Sequence, residues 1–184
     1  MKQALFFLLF FLLVFISKAQ LEYGIKAGFN RSDITHYNLD PKLGLNIGGF
    51  AYYQISENFA LQPELLFSMQ GVKNGDYSTI SKNYLNIPLV MKFKVGRELN
   101  LQAGEYVGVL LSAKEKNEVF EINDKDITKA FDFGLVFGLG YDYSANLSID
   151  LRYNLGFTEI THSSEDPKNT VLSLSVGYKF SNFY

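Results

Sequence analysis

From Leu21 almost to its end, this chain alternates apolar and polar residues with a period of two. That repeat puts successive side chains on opposite faces of an extended backbone, and a helix with 3.6 residues per turn cannot carry it. Eight segments show it, at residues 22–32, 42–54, 59–71, 83–95, 99–112, 131–144, 147–158 and 171–181. In the first, Tyr23, Ile25, Ala27 and Phe29 share one face, and Gly24, Lys26, Gly28 and Asn30 share the other. The sixth sets Phe131, Phe133, Leu135, Phe137 and Leu139 against Asp132, Gly134, Gly138 and Gly140. Each segment is at least as long as the 9–11 or so residues with which a tilted strand crosses a hydrocarbon layer.

The connections alternate in length. Ile55-Ser56-Glu57-Asn58, Gly96-Arg97-Glu98 and Ala145-Asn146 are tight turns, whereas residues 33–41, 72–82, 113–130 and 159–170 are long loops. Short turns on one rim and long loops on the other are the pattern of outer-membrane barrels, with the turns periplasmic. The reading is all-β: an eight-stranded antiparallel up-and-down transmembrane β-barrel, both termini periplasmic, in the outer membrane of a Gram-negative bacterium. A secreted barrel of lipocalin type, a carrier of apolar ligands, has the same alternation with its faces reversed. The faces favour the membrane. One is Leu, Ile, Val, Phe and Tyr; the other carries glycine with Lys, Asp, Arg, Asn and Gln. Tyr23, Tyr53, Phe59, Phe93, Tyr143 and Phe180 fall at strand ends, where interfacial aromatic girdles sit.

Before the first segment stand Met1-Lys2-Gln3, an apolar run from Ala4 to Ile16, and Ser17-Lys18-Ala19. A basic start, an apolar stretch too short to span a bilayer and a small-x-small site predict a signal peptide at residues 1–19. The barrel domain is then residues 20–184. The chain has no cysteine, so no disulfide framework supports it. Its net charge of −2 and the lack of a basic cluster exclude nucleic acid as a partner.

Several stretches resemble the PorT-like outer membrane protein beta-barrel family of Bacteroidetes, the small "porin family" proteins. They are Gly24-Ile25-Lys26-Ala27-Gly28-Phe29-Asn30, Tyr84-Leu85-Asn86-Ile87-Pro88-Leu89 and the run from Gly104 to Lys114. Phe131-Asp132-Phe133-Gly134, Gly138-Leu139-Gly140-Tyr141 and the closing Gly177-Tyr178-Lys179-Phe180 complete the set. The resemblance covers essentially the whole chain after the leader and implies an eight-stranded outer-membrane barrel. It implies little about activity; the name-giving member is an accessory to protein export. Glu105 departs from the pattern at a position where proline is expected. The alternation aims it at lipid, so a bulge or a place near a rim is expected to relieve it.

Small barrels are filled by their own side chains. The alternation points nine charges inward: Lys26, Glu64, Lys92, Lys94, Asp132, Asp142, Asp150, Arg152 and Lys179. Five bases and four acids suit a paired, structural polar network that plugs the lumen. Arg152 is expected to hold one of the neighbouring aspartates, Asp132, Asp142 or Asp150, in a forked pair. The competing reading of the same residues is a narrow channel for small solutes.

No catalytic, cofactor or metal motif emerges. His36 and His162 fall in long loops, near Asp33 and Asp40 and near Ser163, Ser164, Glu165 and Asp166, with no recognisable spacing. Asn123-Asp124-Lys125-Asp126 lacks the glycine and further acids of a calcium loop, and Gly138-x-Gly140 opens no helix. The expectation is a non-enzymatic protein without cofactor, in contact with outer-membrane lipid and with other envelope or export proteins through its outer loops. The alternating Glu118-Val119-Phe120-Glu121-Ile122 is expected to extend a hairpin above the membrane. Pro63 and Pro88 interrupt predicted strands and are expected near the turn rim or at bulges.

Overall fold

The computed structural model describes residues 21–35, 39–75, 77–117, 121–123, 129–159 and 167–180. The strands are β1 (Leu21–Ile34), β2 (Asp40–Gln54), β3 (Phe59–Asn74), β4 (Ser78–Val95), β5 (Leu99–Asn117), β6 (Glu121–Asn123), β7 (Phe131–Asp142), β8 (Leu147–Glu159) and β9 (Lys168–Phe180). All pairings are antiparallel, and each long strand pairs with its neighbour in sequence. Pairing of β1 with β9, from Tyr23↔Phe180 to Ile34↔Asn169, closes the ring. Eight strands therefore form an up-and-down barrel with no free edge in its wall. The short ninth, β6, pairs with Lys114–Lys116 of β5; of the predicted extension Glu118 to Ile122, Glu121 and Ile122 lie in this strand. Residues 1–19, for which the sequence predicts a signal peptide, His36, His162 to Asp166, Glu118 to Phe120 and Asp124 to Asp126 lie outside the described residues.

The faces fall as the membrane reading requires. Ile25, Phe29, Leu45, Ile47, Leu65, Leu101, Phe133, Leu139 and Leu174 are exposed on the outer wall. Lys26, Asn30, Gln62, Glu64, Lys92, Asn100, Gln102, Asp150 and Arg152 are buried inside it. This inverts the usual distribution of a water-soluble domain, and it rules out the lipocalin-like alternative, whose apolar face lines the cavity.

Glycine keeps the bore narrow enough for side chains to bridge it. A Cβ on Gly48 would overlap the Leu65 carbonyl oxygen, and one on Gly140 would overlap the amides of Asn100 and Gln102.

Three expectations need correction. Glu105 sits on no bulge and near no rim: it is exposed and pairs in regular register with Leu89 and Leu135. It lies midway between Leu99 and Leu111 in an otherwise apolar row. Pro88 lies at mid-strand, paired with Tyr106, and Pro63 stands opposite Leu89. Neither is on a bulge. The β2–β3 ladder resumes at Tyr53↔Leu61 beyond Pro63 in unchanged register, because a missing N–H weakens one side of a strand and leaves the other ladder intact. The bulge in this part of the wall is higher on β5. Asn83 faces Ser112 and Tyr84 faces Leu110, so Leu111 is the extra residue, and above it Ala113 takes the inward position.

Candidate functional site in the barrel lumen

The short-turn half of the lumen holds a closed cluster of five charges. Arg152 on β8 reaches across to Glu64 on β3, four places round the ring, with Nη1 donating to Oε2 and Nη2 to Oε1, each at 2.8 Å. Lys26 on β1 lies between the two acids, its Nζ 2.8 Å from Glu64 Oε1 and 2.8 Å from Asp150 Oδ2. Lys92 on β4 approaches Asp150 Oδ1 at 3.3 Å, and Arg152 Nη2 lies 3.6 Å from Asp150 Oδ2. Gln102 on β5 completes the cluster: its Nε2 donates to Asp150 Oδ1 at 2.6 Å, and its Oε1 accepts from Arg152 Nε at 2.7 Å. None of the five charged side chains is more than 6% exposed.

Burial of this kind is tolerable only because each charge meets an opposite one and Gln102 adds hydrogen bonds to both Asp150 and Arg152. The forked Arg152 pair forms as expected, with a different partner. Glu64 lies on the opposite wall, whereas the sequence points to the aspartates of β7 and β8. Asp150 on the same strand is approached only from the side, at 3.6 Å. The guanidinium spans the bore and meets the carboxylate facing it.

The other inward charges are dispersed. At the short-turn mouth Lys179 pairs with Glu22 at 2.9 Å and lies 4.5 Å from the Tyr52 ring centroid. Asp142 accepts from Asn100 Nδ2 at 3.2 Å. Lys94 is half-buried there. Asp132 stands apart in the long-loop half, where it accepts from Tyr106 Oη at 2.9 Å and Asn169 Nδ2 at 3.4 Å. Gln62, Gln102, Asn100, Tyr106, Asn169 and Glu22 were not singled out from the sequence. Their signal was present in the inward phase of the alternation, which carries uncharged partners as readily as charged ones.

Between the two halves the bore is filled. Asn46 Nδ2 donates to Asn30 Oδ1 at 2.7 Å, Asn30 Nδ2 to Ser68 Oγ at 2.9 Å, and Ser175 Oγ to Asn46 Oδ1 at 3.0 Å. Val90, Tyr106 and Val136 pack together beside them. The void left at this level, bordered by Asn86 and Asn154, is about 20 Å³, the space of one water molecule. Among the described residues no three His, Cys, Asp or Glu side chains gather as a metal site. The carboxylates of the central cluster are already engaged by cations, which leaves them poor candidates for acid/base work.

Residues 17–162 match the family model described as "Outer membrane protein beta-barrel domain". No curated relative matches the sequence. Among solved structures the chain is similar to Ail, the attachment invasion locus protein of Yersinia pestis. The two share 19% identity and a TM-score of 0.54, over 86% of this chain and 98% of that one. It is also similar to Neisserial surface protein A, at 12% identity and a TM-score of 0.61, over 89% of this chain and all of that one. At these identities the likeness is one of fold.

Proposed function

This chain belongs to the outer membrane protein beta-barrel domain family, and from that premise we propose a non-enzymatic barrel whose plugged lumen is structural and whose outer loops make the functional contacts. The barrel wall meets outer-membrane lipid. Residues 1–19 act as a cleaved export signal and residues 20–184 form the mature domain, with both termini and the short turns in the periplasm. The nine inward charges, from Lys26 to Lys179, serve the plug and the mouth of the barrel. The order of its glycine-aromatic motifs supports kinship with the PorT-like proteins of Bacteroidetes and a part in export or envelope maintenance. The long loops and the β5–β6 extension are the surfaces offered to envelope or export proteins.

The observation that carries this reading is the Arg152–Glu64 bridge across the bore, held by Lys26, Gln102 and Asp150. A solute pathway would have to break charge-assisted bonds buried on every side. The test is single-channel recording of the folded chain in planar bilayers, with heat-modifiable gel mobility as the check on folding. A silent bilayer is expected. Discrete conductance steps that change with Arg152→Ala would replace the plug with a narrow channel.

A further inference from the structure

We propose that the short-turn mouth of the barrel is a binding site for a small soluble oxyanion carrying at least two negative oxygens. A cavity of about 190 Å³ opens there, several times the roughly 30 Å³ that a water occupies in the liquid. Lys92 and Gln62 line it within the barrel; Lys94, Lys179, Tyr52 and Ser148 line it nearer the mouth; Arg97 and Ser144 stand on the turns.

The case rests on charge balance. In the central cluster three cations, Lys26, Lys92 and Arg152, share two carboxylates, Glu64 and Asp150. The under-served member is Lys92. Among the described residues its one carboxylate contact is the longer 3.3 Å one to Asp150, which Lys26 holds more closely. Lys92 is 4% exposed, and it lines this cavity. At the mouth, Lys179 is balanced by Glu22, and Asp142 is the one acid lining the cavity. Lys94 and Arg97 form no ion pair with any described residue. Glu98, next to Arg97, takes the Tyr141 hydroxyl at 2.8 Å and does not line the cavity. Set against Asp142, the lining stays positive, with Lys92, Lys94 and Arg97 around one concave space. Cations gathered round one cleft focus the field there and attract a counter-charge. Ser148 adds a neutral donor, and Arg97 can grip two oxygens of a carboxylate or phosphate at once.

The shared ligand chemistry is an oxyanion, and two probes separate its sources. The folded full-length chain in detergent is titrated calorimetrically with inorganic phosphate and with citrate, at constant ionic strength. Wild type, Lys94→Gln/Arg97→Gln and Lys73→Gln, a charge removed from the far rim, are compared, each shown to be folded by heat-modifiable mobility. Saturable binding of either probe is expected, tenfold or more weaker in the double variant and unchanged in Lys73→Gln. A preference for phosphate assigns a phosphate-bearing ligand, and a preference for citrate a carboxylate. No saturable heat with either probe, or equal binding in all three proteins, overturns the site.

Discussion

The two halves of the lumen are closed by different means. On the short-turn side the bonds cross the bore: Arg152 to Glu64 spans four strand places, and Lys92 to Asp150 spans three. On the long-loop side they follow the wall. Ser32 Oγ bonds Gly71 O at 2.8 Å, and Tyr106 bonds Asp132 on the adjacent strand. Apolar packing of Tyr84 with Leu110 and Ala113, and of Ile34 with Val72, fills the rest. Charges reach further than neutral dipoles and cost more to bury alone. One half is therefore an interdependent network, and the other a set of local contacts that can fail one at a time.

The largest test of that contrast is Arg152→Met. Removing one partner of a buried pair leaves Glu64 short of its counter-charge, so a loss of about 3 kcal/mol is expected from urea unfolding in bilayers. Adding Glu64→Leu should restore most of it, because removing both members avoids the stranded charge. A double variant as unstable as the sum of its singles would refute the interdependence. Tyr106→Phe, on the local side, should cost about 1.5 kcal/mol, the value of one hydrogen bond to a charged group. Its effect should add to that of Arg152→Met, and coupling beyond about 0.5 kcal/mol would join the two halves energetically. The smallest effect is expected on the outer wall. Glu105→Leu should stabilise the barrel by about 1 kcal/mol in bilayers, since polar substitutions facing lipid cost most at the midplane. A destabilised variant would give the carboxylate a binding role.

Sequence alternation located the short-turn ends of the strands closely and stopped early at the other rim. β4 begins at Ser78 where Asn83 was expected, and β5 runs to Asn117 past the expected Ser112. Above the membrane neither face must be apolar, so Ser78–Lys82 and Lys114–Asn117 lose the period-two signal while their backbones keep pairing. The inward phase identified Lys26, Glu64, Lys92, Asp150 and Arg152 as lumen residues. It did not reveal who meets whom, because Arg152 and Glu64 stand 88 positions apart and their meeting depends on barrel shear. The inward Leu66, Val90 and Val136 were obscured for a simpler reason: an apolar residue in a polar row reads as noise until the void it fills is seen.

The Arg152–Glu64 bridge also has a mechanical meaning. A hollow tube squeezed from the side becomes oval, because bending its wall is easier than stretching it. A tie across the diameter braces the circular section, and Lys26 and Gln102 triangulate that brace against shear. Lateral pressure from the lipid then meets a rod rather than a hose, and a change in bilayer thickness is taken up by tilt of the whole barrel. Spin-label distances across the short-turn half should stay constant from thin to thick bilayers in the native chain and spread in Arg152→Met.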